Sequence, residues 1–189
     1  MAIVASDIKK YLTGAGSDGG AQADPNASLG AFRSSTEVTD DTDNNLFDDV
    51  SGAEASAGDT EYRCICLKNT HGSLELTTAK IFMQDANIGA GNTLSFAVEV
   101  PAAGSETNGT AQAAVANEGT APTVNAGNVS NWSTGTDYAG GVALNINAHD
   151  ANLGVGEIVY VWIRRVIGAS AAAASGVNFT IRIQGDTAA

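Results

Sequence analysis

From residue 61 onward, apolar and polar positions alternate with a period of two. That is the spacing of a strand with one face toward a core. "EYRCICLKN" (61–69) sets Tyr62, Cys64 and Cys66 against Arg63, Ile65 and Leu67. "LELTTAKIFM" (74–83) follows after "THGS", a turn short enough for a hairpin. In "TLSFAVEVP" (93–101), Leu94, Phe96, Val98 and Val100 share one face, and Pro101 ends the run. "GVALNINAH" (141–149), "EIVYVWIRRVI" (157–167) and "GVNFTIRIQGD" (176–186) also read as strands. The last places Val177, Phe179, Ile181 and Ile183 together. The stretch 157–167 is apolar on both faces over most of its length, which predicts a central strand.

The first sixty residues show no such period. "SDIKKYLTG" (6–14) fits a short helix capped by Ser6 or an opening strand. "GAGSDGGAQADPNASLG" (14–30) has the Gly, Asp and Asn density of an extended arm, and "TDDTDNN" (39–45) reads as a solvated acidic loop. "SGAEASAG" (51–58) predicts a turn or two of helix. Ser51 stands at the N-cap, Glu54 three residues on, and Gly58 at the left-handed stop. Residues 102–137 are rich in Ala, Gly, Asn and Thr and carry no clear period, so they read as a long loop.

Five or six strands with no long helix between them exclude parallel βαβ units. The expectation is an all-β chain, an antiparallel β-sandwich of jelly-roll type with sequence neighbours paired, an extended N-terminal arm and one short helix. Residues 1–60 form the arm, acidic loop and helix, and residues 61–189 the sandwich with its loop at 102–137.

Charge narrows the partners. The net charge is −12 and the pI about 4.3, which argues against binding nucleic acid or an anionic membrane. No apolar run reaches the roughly 20 residues of a membrane helix. The N-terminus shows no signal-peptide pattern, so synthesis or assembly in a cytoplasm is expected. Cys64 and Cys66 lie two apart on one strand, where side chains diverge, so buried reduced thiols are expected rather than a disulfide or a zinc site.

Candidate chemistry is sparse. His71 lies in a tight turn and His149 at a strand end, neither spaced suggestively from a nucleophile or carboxylate. No nucleophile elbow, phosphate loop or dinucleotide fingerprint occurs. Asp41, Asp43 and Asn45 begin like a calcium loop, but Leu46 stands in place of the required Gly and Gly52 in place of the bidentate Glu. No cofactor or metal is expected. Trp132 and Tyr138 suit either a sugar-stacking platform or aromatic pins holding a loop.

Arg164 and Arg165 are adjacent in the most apolar strand, so they face opposite sides. One of them, with Arg182 from a neighbouring strand, is expected to leave the sandwich near its end. There it would pair with a carboxylate of this chain or of another subunit. Arg164, Arg165, Arg182, Trp132, Tyr138, Asp24 and Asn26 are therefore the candidate contact residues.

Two stretches, "NLFDDVSGAEASAGDTEYRCICLKNTHGSLELTTAKIFM" (45–83) and "LGVGEIVYVWIRRVIGASAAAASGVNFTIRIQGDT" (153–187), resemble segments of small virion structural proteins of tailed bacteriophages. The resemblance implies a non-enzymatic β-sandwich used in many copies of a particle. The foremost form is a capsid decoration (cement) protein, which binds the major capsid protein and copies of itself, usually as a homotrimer. A tail or baseplate component, or a receptor- or glycan-binding module at the tail tip, is the alternative. The arm of residues 1–34 and the loop at 102–137 are the expected shell contacts.

Overall fold

The computed structural model describes residues 2–99, 107, 110–122, 132–144 and 152–187. His149, Val100 and most of the predicted strand 141–149 lie outside them.

The chain is all-β with two antiparallel sheets. The larger runs β5-β8-β3-β1-β2-β6 and the smaller β7-β4-β9. The larger sheet comprises β1 (Ile8–Ala15), β2 (Gly30–Glu37), β3 (Asp59–Asn69), β5 (Asn92–Glu99), β6 (Thr110–Ala114) and β8 (Ile158–Ile167). The smaller comprises β4 (Leu76–Asn87), β7 (Val142–Ala143) and β9 (Asn178–Thr187). The single α-helix, α1 (Gly52–Ala57), forms as its capping box dictates. Ser51 Oγ accepts the Glu54 amide at 3.2 Å, and Glu54 Oε2 accepts the Ser51 amide at 2.7 Å. Gly58 follows at φ 79°, a conformation that a side chain disfavours.

The inter-sheet core is built from the expected faces. Ile65 and Leu67 of β3, Leu94, Phe96 and Val98 of β5, and Val159, Val161 and Ile163 of β8 meet Ile81 and Met83 of β4. β8 lies between β5 and β3 and is buried almost throughout, as a strand apolar on both faces should be. Its other face carries a second core: Tyr160 and Trp162 pack with Cys64, Cys66, Ala97 and Ala113. Trp162 Nε1 donates to buried Glu99 Oε2 at 2.6 Å. The face of β5 opposite Leu94 and Phe96 is thus covered as well. The β2–β6 side of the sheet bends over it, close enough that a Cβ at Gly30 (φ 90°) would fall 2.8 Å from the Trp162 ring and 2.2 Å from the Ala113 carbonyl oxygen.

Three expectations are corrected. The N-terminal region is not an arm: after a 3-10 turn at Ala5–Asp7, β1 lies inside the larger sheet between β3 and β2. Its Lys-Lys and Thr-Gly positions hid the period, because Thr13 is buried through hydrogen bonds rather than apolar contact. Thr13 Oγ1 donates to the Cys64 carbonyl at 2.9 Å and accepts the Gly30 amide at 3.0 Å. Ser28 Oγ donates to the same carbonyl at 2.6 Å. Second, "THGS" makes no hairpin, since β3 and β4 belong to different sheets. Asn69 turns the chain there, its Nδ2 donating to the carbonyls of Leu74 and Leu153, both at 2.9 Å. Third, part of the long loop is ordered, for Thr110–Ala114 pairs with β2 as β6.

Because β1 is an interior strand, removing residues 1–34 should abolish folding rather than leave a soluble sandwich. Far-ultraviolet circular dichroism and hydrogen exchange on the truncated chain should show loss of the β signal. A folded, cooperatively melting truncation would contradict this placement.

Candidate functional site

The scarce cations explain the end of the inter-sheet core. Glu61 and Arg165 sit directly opposite each other on β3 and β8, and Arg63 follows Glu61 on the same face as Ile65. Arg63, Arg165 and Glu61 are buried to 1% exposure or less. The Arg165 Nε donates to Glu61 Oε2, its NH1 to the Asp48 carbonyl at 2.6 Å, and its NH2 to Asp48 Oδ1 at 3.2 Å. Arg63 donates through Nε to the Leu46 carbonyl at 3.0 Å, through NH1 to the Tyr62 carbonyl at 3.1 Å, and through NH2 to Asn26 Oδ1 at 2.7 Å and to Glu118 Oε2. Both guanidiniums pack on the Phe47 ring, 4.7 Å away for Arg165 and 5.3 Å for Arg63. A buried arginine is tolerated only when paired and hydrogen-bonded, and here loop carbonyls supply much of the bonding. The two side chains therefore fix residues 46–48 against the sheet.

Burial pushes the Glu61 carboxyl above its ordinary value of 4.5, and the adjacent Arg165 offsets part of that rise. Burial likewise raises both thiols of Cys64 and Cys66, which are free and wholly enclosed. These properties suit packing and leave little thiolate for nucleophilic attack.

The pinned loop borders a concave feature among the described residues. The larger sheet overhangs the smaller along β9, the edge strand. A groove of about 740 Å³ opens there, floored by Ile65, Leu94 and Ile163 and walled by Phe179 and Ile181 on one side and residues 40–45 on the other. A second hollow of about 360 Å³ continues along β9 past Ile181 and Ile183, bounded by Ile3, Val4 and Ile8. Ile65, Lys10 and Ile181 border both. β9 alternates strictly between half-buried residues facing the groove and exposed polar ones, as its sequence predicts.

The candidate contact residues fall in separate places. Arg165 makes the intrachain alternative, pairing with Glu61 and Asp48 of its own chain, and its burial corrects its place among the outer contact residues. Arg164, on the opposite face, donates to Ser95 Oγ at 3.0 Å and stacks 4.8 Å from the Trp132 ring. Trp132 also packs on Tyr62 at 5.6 Å, so it pins its segment to the larger sheet. Tyr138 is held on the smaller sheet, its hydroxyl donating to the Thr78 carbonyl at 2.8 Å with Lys80 Nζ 4.8 Å from its ring. The two aromatics therefore form no common platform. Arg182 lies on β9, in the other sheet from β8, and donates to Gln84 at 3.2 Å. Asp24 caps the 3-10 turn Pro25–Ala27, and Asn26 serves Arg63.

Among the described residues, one acidic trio could hold a metal ion: Glu54, Asp59 and Glu61, with ligand atoms within 4.8 Å of one another. All three are already engaged, Glu54 as a helix cap, Asp59 with the Thr60 amide and Glu61 with Arg165. In the loop at 41–45, Asn45 turns its amide to the Thr39 carbonyl. His71 Nδ1 accepts the amides of Ser73 and Leu74 at 3.1 and 3.0 Å, a turn-building role. No described helix is long and apolar enough to cross a membrane. The Arg63–Arg165 clasp escaped sequence reading because three of its acceptors are backbone carbonyls, which leave no trace in residue identity, and its carboxylate and amide partners lie far along the chain. The only hint was two cations spaced along otherwise apolar strands.

Arg165→Met leaves Glu61 buried without its partner, and removal of one member of a buried pair costs about 3–5 kcal/mol. Urea denaturation should show a loss of that order, with the loop of residues 46–48 exchanging its amides faster. Glu61 binds its proton more readily folded than unfolded. Its contribution is therefore full below the unfolded value and declines as pH rises through the raised folded one. Wild type should lose stability relative to Glu61→Gln as pH climbs from about 4 toward neutrality. A gap that instead grows in favour of wild type would show that the carboxyl is held down. Comparisons with family models, curated proteins and solved structures find no match to this chain.

Proposed function

We propose that the chain is a non-enzymatic structural component of a virus particle, most closely a capsid decoration protein that binds an assembled shell and bridges its subunits. The observation that carries this reading is the unequal pairing of a six-stranded with a three-stranded sheet. It leaves a long groove with an apolar floor and a polar, acidic rim beside an edge strand, a shape suited to holding polypeptide rather than performing a reaction on a small molecule. The likeness of residues 45–83 and 153–187 to small virion proteins of tailed phages supports the same reading. So does the acidic, charge-poor surface, which keeps a protein made in many copies soluble until it meets its partner. A contact of about 800 Å² per partner, repeated over a shell, stabilises the particle by mass action. The partners in this reading are the major capsid protein and further copies of the chain, as a homotrimer. The receptor- or glycan-binding alternative loses its sequence motive, because Trp132 and Tyr138 are each committed to intrachain contacts, whereas a tail or baseplate role rests on neither residue.

Purified chain added to phage heads assembled without it should co-sediment with them and raise their resistance to heat. Light scattering on the free chain should give a trimer. A chain that neither binds heads nor protects them would end this reading, and a glycan array with specific signal lost in Trp132→Ala would replace it.

A further inference from the structure

The edge of β9 that faces away from β4 pairs with no described strand, so its amides and carbonyls on that side present a template for another strand. The two hollows run the length of this edge, about 30 Å for a ten-residue strand. An added strand would insert alternate side chains between Ile181 and Ile183 on one wall and Ile65, Leu67 and Ile8 on the others. The groove is not electrically neutral along its length. At the Asn178 end it is rimmed by exposed Asp41 and Asp43, beside Asp40 already paired to Lys10. At the Gly185 end its border is apolar, with Val4 57% exposed.

From this geometry we infer that β9 is an augmentation site for an extended segment of a partner protein, apolar at alternate positions and basic at its C-terminal end. The inference deepens the assembly role proposed above by naming what the partner supplies. Every ladder between the named strands is antiparallel, so the added strand runs against β9 and brings its C-terminal end to Asp41 and Asp43. Main-chain hydrogen bonds supply affinity, the isoleucine wall selects the alternate apolar side chains, and the two aspartates select orientation. A second copy of this chain fits less well, since at net charge −12 it offers few basic segments.

The probe is a strand-length peptide of alternating valine and threonine with a lysine pair at its C-terminal end, beside a control of the same composition with the apolar residues blocked together. Calorimetry with the full chain should give saturable binding of the alternating peptide alone. Hydrogen exchange should show newly protected amides along β9. Ile183→Lys, checked for native circular dichroism, should weaken binding by about tenfold or more, as loss of a central anchor does. The pair Asp41→Lys, Asp43→Lys should weaken it several-fold and remove its salt dependence. No binding by the unaltered chain, binding that leaves the β9 amides unprotected, or β9 amides already protected by self-association would each overturn the inference. Heads that still take up the Ile183→Lys chain would remove the groove from the particle contact while decoration itself stood. Capture of the peptide by a chain that never binds heads would support the groove and sink the particle role.

Discussion

The structure turns on two guanidinium groups buried at one end of the inter-sheet core. Arg63 and Arg165 close over the Phe47 ring and donate hydrogen bonds to the carbonyls of Leu46, Tyr62 and Asp48 and to Glu61. A guanidinium out of water must satisfy its donors in fixed directions, and this obligation is what holds an otherwise loop-like segment in one place. Ion pairs to Glu118 and Asp48, both partly exposed, add charge balance at the rim. The same obligation reaches Asn26 in the β1–β2 connection, so three distant parts of the chain converge on one pair of cations.

Fixing that segment gives the molecule its asymmetry. With residues 46–48 anchored to the larger sheet, Phe47 packs edge-on against Phe179 of β9 at 6.2 Å and clamps β9 near its start. Beyond that contact the smaller sheet is too narrow to cover the larger, and Phe179, Ile181 and Ile183 remain half-buried. Half-buried isoleucines along an edge that pairs with no described strand are ordinarily hazardous. Here the polar outer face of β9, Asn178, Thr180, Arg182, Gln184 and Asp186, limits sheet-to-sheet stacking without blocking the edge. That combination joins the burial pattern to the proposed role in assembly.

The legible parts of the fold were those where side-chain identity alone determines placement. The period of β5, β8 and β9, the two-sided burial of β8, and the Ser51–Glu54 cap with its Gly58 stop were all readable. β1 and β2 were not. Buried polar residues in and between them, Thr13 of β1, Ser28 of the connection and Ser34 of β2, are held by hydrogen bonds that no hydrophobic pattern records. Pairing partners were misread for a related reason. Local turn length suggested neighbours, but β3 and β4 part at Asn69, whose side chain bonds across to Leu153, far along the chain.

The sequence by itself determined strand faces, the short helix and the opposite orientation of Arg164 and Arg165. Each follows from the fixed geometry of a residue and its near neighbours. Only the tertiary structure decided which arginine is enclosed, that the N-terminal third joins the larger sheet, and that one edge of β9 pairs with no described strand. Those outcomes depend on long-range pairing and on backbone carbonyls as acceptors, and a carbonyl is the same at every position in the chain.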